Sequence, residues 1–560
     1  MLAFIGQDTF NMSEPVPAYT GWAYTAYVSF LCIYVATLIT LSFYGTHRYI
    51  LVYLYYKYKK NRPKCAARFD ELPTICVQLP MYNERFVAKR IIEHACMLDY
   101  PRDRLHIQVL DDSTDETVQI ASAIVEQYRA RGYHIDYVHR KDRVGFKAGA
   151  LENGLKFTDA EFIAIFDADF IPQPDVLQRA IHYFADPKVG MVQARWDHLN
   201  RDSSLLTQSQ AILLDGHFMI EHTARNRSGR FMSFNGTAGM WRRSCIDDAG
   251  GWQHDTVTED LDLSYRAQLR GWRFVYVPDI ISPAELPPEI NAFKQQQYRW
   301  TKGGAQTCRK LLPTILAAPV NRKIKLEAFF HLTSCTVYLY IVALTLMLFP
   351  ALYLRIMIFP HSVASRILFD VSLFLLATCS ASAFYLCSQR EIFSRWHDKI
   401  KYLPFLMALG IGISPSNALA AIEGFFRRGG EFVRTPKFGM GASADTQWRY
   451  RLKEFKHWRK SCLPFLEMGL GFYMIACLCM CVYYGRAPMS MPFLVLFACG
   501  YFYVSFTSLA LRVRPSAQTA DGEDLLETST AIEPVVPANE SSPATPVPVP
   551  ASTRPAAPQR

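Results

Sequence analysis

The chain has 560 residues, of which 50% are hydrophobic, and a formal net charge of +10. This length exceeds one ordinary domain, and so large an apolar fraction excludes a wholly soluble protein. We attribute the positive charge to basic residues that lie beside a lipid bilayer and attract its anionic headgroups, so no nucleic-acid partner is expected. The 14 cysteines are scattered without the spacing of zinc ligands, which favours packing roles.

The first apolar segment, residues 24–43, carries no charged side chain and is long enough to cross a bilayer core of roughly 30 Å. We predict a membrane anchor there, because no basic stretch precedes the segment and no convincing cleavage site follows it. Basic residues accumulate between Arg48 and Arg68, whereas residues 1–22 contain none. The N-terminus is therefore expected outside, and residues 46–327 are expected in the cytosol.

Short apolar runs then alternate with amphipathic stretches. The predicted strands are residues 74–79, 105–110, 134–139, 162–166 and 190–193. One helical face is predicted for Val87, Ile91, Ala95 and Leu98, and another for Val118, Ala121, Val125 and Tyr128. This alternation predicts an α/β domain, in which a mostly parallel sheet is covered by helices.

Two acidic pairs follow predicted strands of this sheet. Asp111 and Asp112 follow the second strand, and Asp167 and Asp169 follow the fourth. Ligands of such sheets bind at the carboxyl ends of the strands. The first pair is equally compatible with a turn that leads into a helix cap. The second pair suits Mg²⁺ or Mn²⁺, because these ions combine one or two carboxylates with substrate phosphates.

Thr258, Glu259 and Asp260 precede the amphipathic stretch 261–269. Carboxylates are favoured at the N-terminus of a helix, so these residues are expected to start one. An ionised carboxylate at that position can also accept a proton from a sugar hydroxyl as the hydroxyl attacks.

Gln296, Arg299 and Trp300 stand just before the chain returns to the membrane. Three-residue spacing places Gln296 and Arg299 on one helical face. An arginine can bind phosphate oxygens with two N–H groups, and a tryptophan offers a flat apolar face to a sugar ring. The alternative is an interfacial aromatic beside an arginine that reaches for the headgroups.

Four more spans are predicted at residues 328–352, 367–387, 463–484 and 491–511. Residues 402–426 are apolar but are interrupted by glycine, serine, proline and asparagine, and basic stretches border both ends. We favour an interfacial or re-entrant segment there, which leaves five spans and a cytoplasmic C-terminus. Residues 513–560 are rich in Pro, Ala, Ser and Thr and are predicted to be disordered.

The domain boundaries follow from these segments. They are 1–45 for the N-terminal segment with the first span, 46–327 for the cytosolic domain, 328–388 for spans two and three, 389–461 for the interfacial helix and a loop, 462–512 for spans four and five, and 513–560 for the tail.

Four stretches carry a family resemblance: IQVLDDS from Ile107, VQARW from Val192, FNGTAG from Phe234, and Gln-x-x-Arg-Trp from Gln296. They resemble the processive family 2 glycosyltransferases, the group of cellulose, hyaluronan and mannan synthases, and in particular the plant cellulose-synthase-like A and C proteins. The resemblance extends from about residue 72 to residue 511. It implies a GT-A catalytic domain that binds a nucleotide-sugar in a Rossmann-like manner, plus a helical transmembrane domain.

The resemblance also implies roles for single residues. The expected nucleotide-sugar ligands are Tyr82, Glu84, Asp111, Asp112, Lys147 and Asp167. Asp169, with Asp167, would hold the metal, and Asp260, with Glu259, would be catalytic. The expected acceptor ligands are Asn235, Gly236, Thr237, Gln296, Arg299 and Trp300. A gating loop of the family pattern Phe-x-Val-Thr-x-Lys would comprise Phe432, Thr435 and Lys437, although Arg434 stands at the valine position.

These features predict an inverting hexosyltransferase in a bacterial inner or plasma membrane that polymerises hexose from UDP-glucose or GDP-mannose. The expected product is a β-glucan, or a β-mannan or glucomannan. Its partners would be the donor, the growing polysaccharide and the bilayer. Accessory export proteins are compatible with this function. A non-processive enzyme that adds one or a few sugars to a lipid is the alternative. A transporter or receptor with a nucleotide-binding domain would leave Asp260 and Trp300 without a role.

Overall fold

The computed structural model describes residues 22–354, 379–427, 429–430, 434–440, 462–485 and 487–513. The strands are β1 (Ile75–Met81), β2 (Leu105–Asp111), β3 (Ile135–His139), β4 (Phe162–Ile165), β5 (Val189–His198), β6 (Gly239–Arg242) and β7 (Arg273–Ala284). The helices up to residue 269 are α1 (Trp22–Tyr58), α2 (Ala88–Cys96), α3 (Thr117–Ala130), α4 (Phe146–Gly154), α5 (Val176–Ile181), α6 (Leu205–Asp215), α7 (Thr223–Arg227), α8 (Arg243–Asp248) and α9 (Glu259–Leu269). The later helices are α10 (Ile290–Ala317), α11 (Arg322–Thr333), α12 (Val337–Tyr353), α13 (Cys379–Ile392), α14 (Leu403–Gly412), α15 (Ser414–Phe426), α16 (Leu463–Tyr483) and α17 (Met491–Val513).

The seven strands form one sheet in the order β3-β2-β1-β4-β6-β5-β7. Strand β1 pairs in parallel with β2 and β4, β2 with β3, and β5 with β7. Only β6 runs against its neighbours β4 and β5. The predicted α/β class is confirmed, and each of the five predicted strands is present. The carboxyl ends of β1, β2, β4, β5 and β7 therefore share one edge of the sheet.

Helices cover both faces of the sheet. Every residue of β1, β2 and β4 is buried, as expected for strands in a parallel sheet between two helical layers. Alternate residues of β1 enter different cores: Ile75 and Val77 pack with α2 and α3, whereas Cys76 packs with α4 and α9. Helices therefore pack on both faces of the sheet, and this packing fixes the positions of the loops at its carboxyl edge.

Four helical segments among the described residues are long and apolar enough to cross a membrane. They are Val28–Tyr58, Arg322–Tyr353, Leu463–Tyr483 and Met491–Ala510, and each overlaps a predicted span. The bent pair Trp396–Gly412 and Ser414–Phe426, which meets at 47°, is either a fifth broken span or a re-entrant segment. Most of the span expected at 367–387 lies outside the described residues, as do the loop residue Phe432 and the tail after residue 513.

Helix α10 links the sheet to the apolar helices. It packs tightly on α15, because a Cβ added at Gly424 would lie 2.4 Å from the carbonyl oxygen of Lys302. An ion pair of 3.1 Å between Lys302 and Glu423 supports the same contact. At the start of α10, the Glu289 carboxylate accepts hydrogen bonds from the N–H groups of Asn291 (2.8 Å) and Ala292 (3.0 Å).

Candidate active site

A cavity of about 160 Å³ opens at the carboxyl edge of the sheet. The predicted site residues that line it are Tyr82, Glu84, Asp112, Lys147, Asp167, Asp169, Asn235, Gly236, Glu259, Asp260, Gln296, Arg299, Trp300, Thr435 and Lys437. Asp111 and Thr237 lie beneath the cavity lining, where both are fully buried. Segments that are far apart in sequence therefore meet at one place.

The expected nucleotide end of the cavity is organised by two arginines. Arg140 donates two hydrogen bonds to the Asp112 carboxylate, from Nε at 2.7 Å and from Nη2 at 2.5 Å. The guanidinium of Arg143 lies 3.4 Å from the centre of the Tyr82 ring. Sequence reasoning missed both arginines, since neither belongs to a motif. Asp112 is thereby held in one orientation.

Asp111, which we expected to contact the nucleotide, supports the loop from below. Its carboxylate accepts hydrogen bonds from the Ser113 N–H at 2.8 Å and from the Tyr137 hydroxyl at 2.7 Å. Below the second acidic loop, the Asp167 N–H donates to Thr237 Oγ1 at 2.8 Å. Thr237 therefore fixes the backbone of Asp167, which lines the cavity, and Asp111 fixes the backbone of Ser113, which adjoins the cavity-lining Asp112.

Each aspartate of the Asp-x-Asp loop forms an ion pair with a lysine. Lys147 pairs with Asp167 and donates to the Gly236 carbonyl at 2.9 Å, and Lys437 pairs with Asp169. Although burial alone lowers the pKa of Lys147, Asp167 and Glu259 together raise it above its ordinary value. The two aspartates offer only oxygen ligands and attract cations here, so they fit Mg²⁺ or Mn²⁺ chemically.

Asp260 lies in the first turn of α9, half-buried in the cavity wall. Its Oδ1 accepts the N–H of Leu261 at 2.8 Å. Burial, and next the neighbouring Glu259, raise the pKa of Asp260 to about 7. Burial also raises the pKa of Glu259, although the positive charge of Lys147 opposes this shift. A carboxylate whose pKa lies near neutrality is suited to accept a proton from a hydroxyl.

Gly236 brings the backbone close to this carboxylate. Its φ of +81° is in the left-handed region, and a Cβ there would lie 3.0 Å from Asp260 Oδ2. Gln296, Arg299 and Trp300 lie in α10 and line the same cavity. Burial lowers the pKa of Arg299, while Glu259 and Asp167 oppose that effect. The predicted base Asp260 and the predicted sugar platform Trp300 therefore line the same cavity.

Residues 434–440 close one side of the cavity. Arg434 pairs with Glu84 at 2.9 Å. The buried Glu285 carboxylate accepts the N–H groups of Phe438 at 2.8 Å and Met440 at 3.1 Å. Burial raises the pKa of Glu84 to about 7, and Arg434 opposes this shift. Sequence reasoning missed Glu285, although it directly follows β7; predicting that strand would have identified an acidic residue at the ligand edge.

Comparison with known proteins matches residues 73–303 to the family model "Glycosyltransferase like family 2". The chain is 44% identical over 288 residues to "Glucomannan 4-beta-mannosyltransferase 2" of Arabidopsis thaliana, a match that covers 49% of this chain and 53% of that protein. It is 43% identical over 302 residues to "Probable glucomannan 4-beta-mannosyltransferase 7" of Oryza sativa subsp. japonica, covering 51% of this chain and 52% of that protein. The matches thus span about half the length of these curated relatives.

Among solved structures, the fold is similar to a mannosyltransferase, PcManGT from Pyrobaculum calidifontis, in complex with GDP-Man and Mn²⁺. The identity is 20%, the TM-score is 0.48, and the match covers 69% of this chain and 99% of that one. The family match spans β1 to β7 and reaches α10, so it includes Asp112, Asp169, Asp260 and Trp300. Residues 73–303, less than half of the chain, are therefore similar to the glycosyltransferase-like family 2.

Proposed function

We propose that this protein is a membrane-embedded, inverting, metal-dependent hexosyltransferase that extends a β-linked polysaccharide from a nucleotide-sugar. The observation that carries this proposal is the meeting, in one cavity, of Asp112, Asp169, Asp260 and Trp300. These residues supply a nucleotide contact, a cation ligand, a proton acceptor and a sugar platform. The curated relatives are named as glucomannan mannosyltransferases, which favours mannose over glucose as the transferred sugar.

The reaction follows from the positions of these groups. The acceptor's terminal sugar stacks on Trp300, and Asp260 accepts the proton of its hydroxyl as the hydroxyl oxygen attacks the anomeric carbon. The bond to the nucleoside diphosphate breaks on the opposite side of that carbon, so one displacement inverts the configuration. Lys147 and Arg299 are placed to stabilise the departing phosphates.

Asp169 would hold the divalent ion together with Asp167, and the ion would neutralise charge that develops on the diphosphate. Lys437 pairs with Asp169 in this structure, so the lysine has to leave the carboxylate before Asp169 binds a cation. We infer that Thr435 and Lys437 then cover the diphosphate, as the gating-loop resemblance predicts. The experiment that identifies the donor, described below, also determines whether the enzyme uses Mg²⁺ or Mn²⁺.

We further propose that the catalytic domain faces the cytosol and that the apolar helices form the exit path of the polymer. Trp300 lies on α10, which packs on α15 of the bent helix pair. A growing chain could therefore pass from the platform toward the membrane without being released. The bacterial membrane, the domain boundaries and the accessory export proteins expected from the sequence stay predictions.

Membranes containing the protein should be incubated with labelled GDP-mannose or UDP-glucose, with Mg²⁺ or Mn²⁺ supplied in turn. The product is then digested with β-mannanase or cellulase. We expect a long product that β-mannanase degrades. Addition of a single sugar to a lipid would overturn processivity, and no incorporation from either donor would overturn the proposed function.

A further inference from the structure

One buried side chain in the cavity has no task in the reaction described above. His198, the last residue of β5, lines the cavity and is 8% exposed. Neither of its ring nitrogens has a hydrogen-bond partner among the residues that the structure describes. Burial of unpaired polar atoms costs folding free energy, so such a group in a cavity points to a partner that arrives with a ligand.

Trp196 repeats this feature on the same strand. It stands two residues before His198, which places both side chains on one face of β5, and it also lines the cavity. Its Nε1–H is buried and has no acceptor within the described part of the chain. The ring packs against Phe170, at 5.2 Å between centroids, and against Phe218, at 4.9 Å.

The backbone around His198 is, in contrast, firmly held. The Leu199 N–H donates to the Ala284 carbonyl at 2.9 Å. Asn200 exchanges two hydrogen bonds of 2.8 Å with the backbone of Leu286. The unpaired imidazole of His198 is therefore held at a defined position, as expected of a side chain that is preorganised to bind a ligand.

The charge state of His198 indicates what kind of ligand group it suits. Burial, and next the nearby Arg201, lower the pKa of His198 to about 4, so the ring is neutral at pH 7. A neutral imidazole has one donor and one acceptor, which matches a hydroxyl group. A phosphate would favour a cation, and the cavity already provides Lys147 and Arg299 for that purpose.

We propose that His198 and the Trp196 Nε1–H form a binding subsite for sugar hydroxyl groups. This inference rests on the proposed function, since it names the sugar contacts of the same cavity. The hydroxyl belongs either to the hexose of the donor or to the terminal residue of the acceptor. Both present the same chemistry to the imidazole, so the experiment has to separate them.

The test compares His198→Phe, which keeps an aromatic ring without its nitrogens, with His198→Gln, which keeps a donor and an acceptor. We expect His198→Phe to lower kcat/KM about 10-fold while the melting temperature stays equal or rises. His198→Gln should recover most of the loss, and Trp196→Phe should show a smaller loss. Wild-type kinetics in His198→Phe would overturn the subsite, as would a fall in melting temperature without a kinetic change.

His106→Phe is the matched control, because His106 is a buried histidine whose nitrogens are paired, with Asp136 at 2.9 Å and Thr158 at 3.2 Å. It lies outside the residues that line the cavity, so we expect a lower melting temperature and unchanged KM values. This is the reverse of the pattern expected for His198→Phe. A purely structural histidine at 198 would give the control's pattern.

Separate KM measurements identify the sugar. A contact with the donor hexose raises the KM of the nucleotide-sugar and slows its hydrolysis without acceptor; a contact with the acceptor raises only the KM of mannopentaose. The affinity for free GDP or UDP should be unchanged in both cases. If the wild type transfers no sugar, the proposed function fails by itself. Calorimetry with mannopentaose and with GDP-mannose then decides the subsite, which is overturned if wild type and His198→Phe bind both compounds equally or if the wild type binds neither.

Discussion

Asp260 shows how position alters the chemistry of a single carboxylate. In water its proton would leave well below neutral pH, but burial and the charge of Glu259 raise its pKa to about 7. Gly236 approaches the same carboxylate so closely that a Cβ would lie 3.0 Å from Oδ2. Burial and a neighbouring carboxylate therefore suit Asp260 to the proposed role of proton acceptor, and its raised pKa leads to two predictions.

The first concerns the rate of transfer. Only the ionised form of Asp260 can accept the acceptor's proton, so kcat/KM should rise with pH through about 7 and level off above it. The pH dependence of kcat/KM is the measurement, because it reports the free enzyme. Asp260→Asn should abolish transfer and leave binding of the nucleotide largely intact. Wild-type turnover in that variant would contradict the assignment of Asp260 as the base.

The second prediction concerns the free energy of unfolding, which should fall as pH rises, whereas kcat/KM should rise. The folded protein disfavours the ionised carboxylate, so Asp260 costs stability as pH rises above the unfolded value of about 3.9 until the folded carboxyl also ionises near pH 7. Below pH 4 this cost is absent. Asp260→Asn should therefore raise the melting temperature at pH 8 and change it little at pH 4. Equal shifts at both pH values would show that the pKa is not raised.

At the scale of elements, the segment 434–440 is held in part by a side chain that is far away in sequence. Glu285, at the end of β7, binds the N–H groups of Phe438 and Met440, and the segment in turn places Lys437 on Asp169. The ladder of β7 with β5 is thus linked to the residues that cover the cavity. A loop of this kind takes its position from the sheet.

Glu285→Ala should release the segment. The variant removes the acceptor of two backbone N–H groups, a loss of about 1–3 kcal/mol for buried groups. We expect faster hydrogen–deuterium exchange in the peptide containing residues 437–440 and a lower rate of transfer. Glu71→Ala, at an exposed carboxylate 3.4 Å from Arg104, is the control and should change neither. Unaltered exchange at 437–440 in Glu285→Ala would contradict the contact.

At the scale of the whole molecule, the sheet domain and the apolar helices share α10 as their connection. The long apolar helices α1, α12, α16 and α17 contribute to one buried cluster, so they pack as a group. By the positive-inside rule, the basic residues between Arg48 and Arg68 predict that the end of α1 and the sheet domain lie on the cytosolic side. This orientation can be tested with the native cysteines.

Cys65, between α1 and β1, is exposed and belongs to the segment expected in the cytosol. A membrane-impermeant maleimide should label it in inside-out vesicles and fail to label it in right-side-out vesicles until they are permeabilised. The label is located by peptide mapping, and Cys65→Ser is the control for the assigned peptide. Labelling of Cys65 in intact right-side-out vesicles would reverse the proposed topology.

The sequence by itself determined the features that depend on neighbouring residues. The runs that became β1, β2 and β4 are largely apolar, because both faces of a parallel sheet are buried, and the two acidic pairs lie at the carboxyl ends of β2 and β4. Strand β6 has four residues, and β7 includes Pro278, Asp279 and Pro283, so neither shows the regular apolar pattern that predicts a strand.

The tertiary structure alone decided which charges meet. Arg140 with Asp112, Lys437 with Asp169, and Glu285 with the backbone of Phe438 join segments that no local pattern relates. The raised pKa of Asp260 and the unpaired nitrogens of His198 are likewise consequences of burial. Hydrophobic periodicity is a property of adjacent residues, whereas desolvation and ion pairing depend on what the fold brings within a few ångströms.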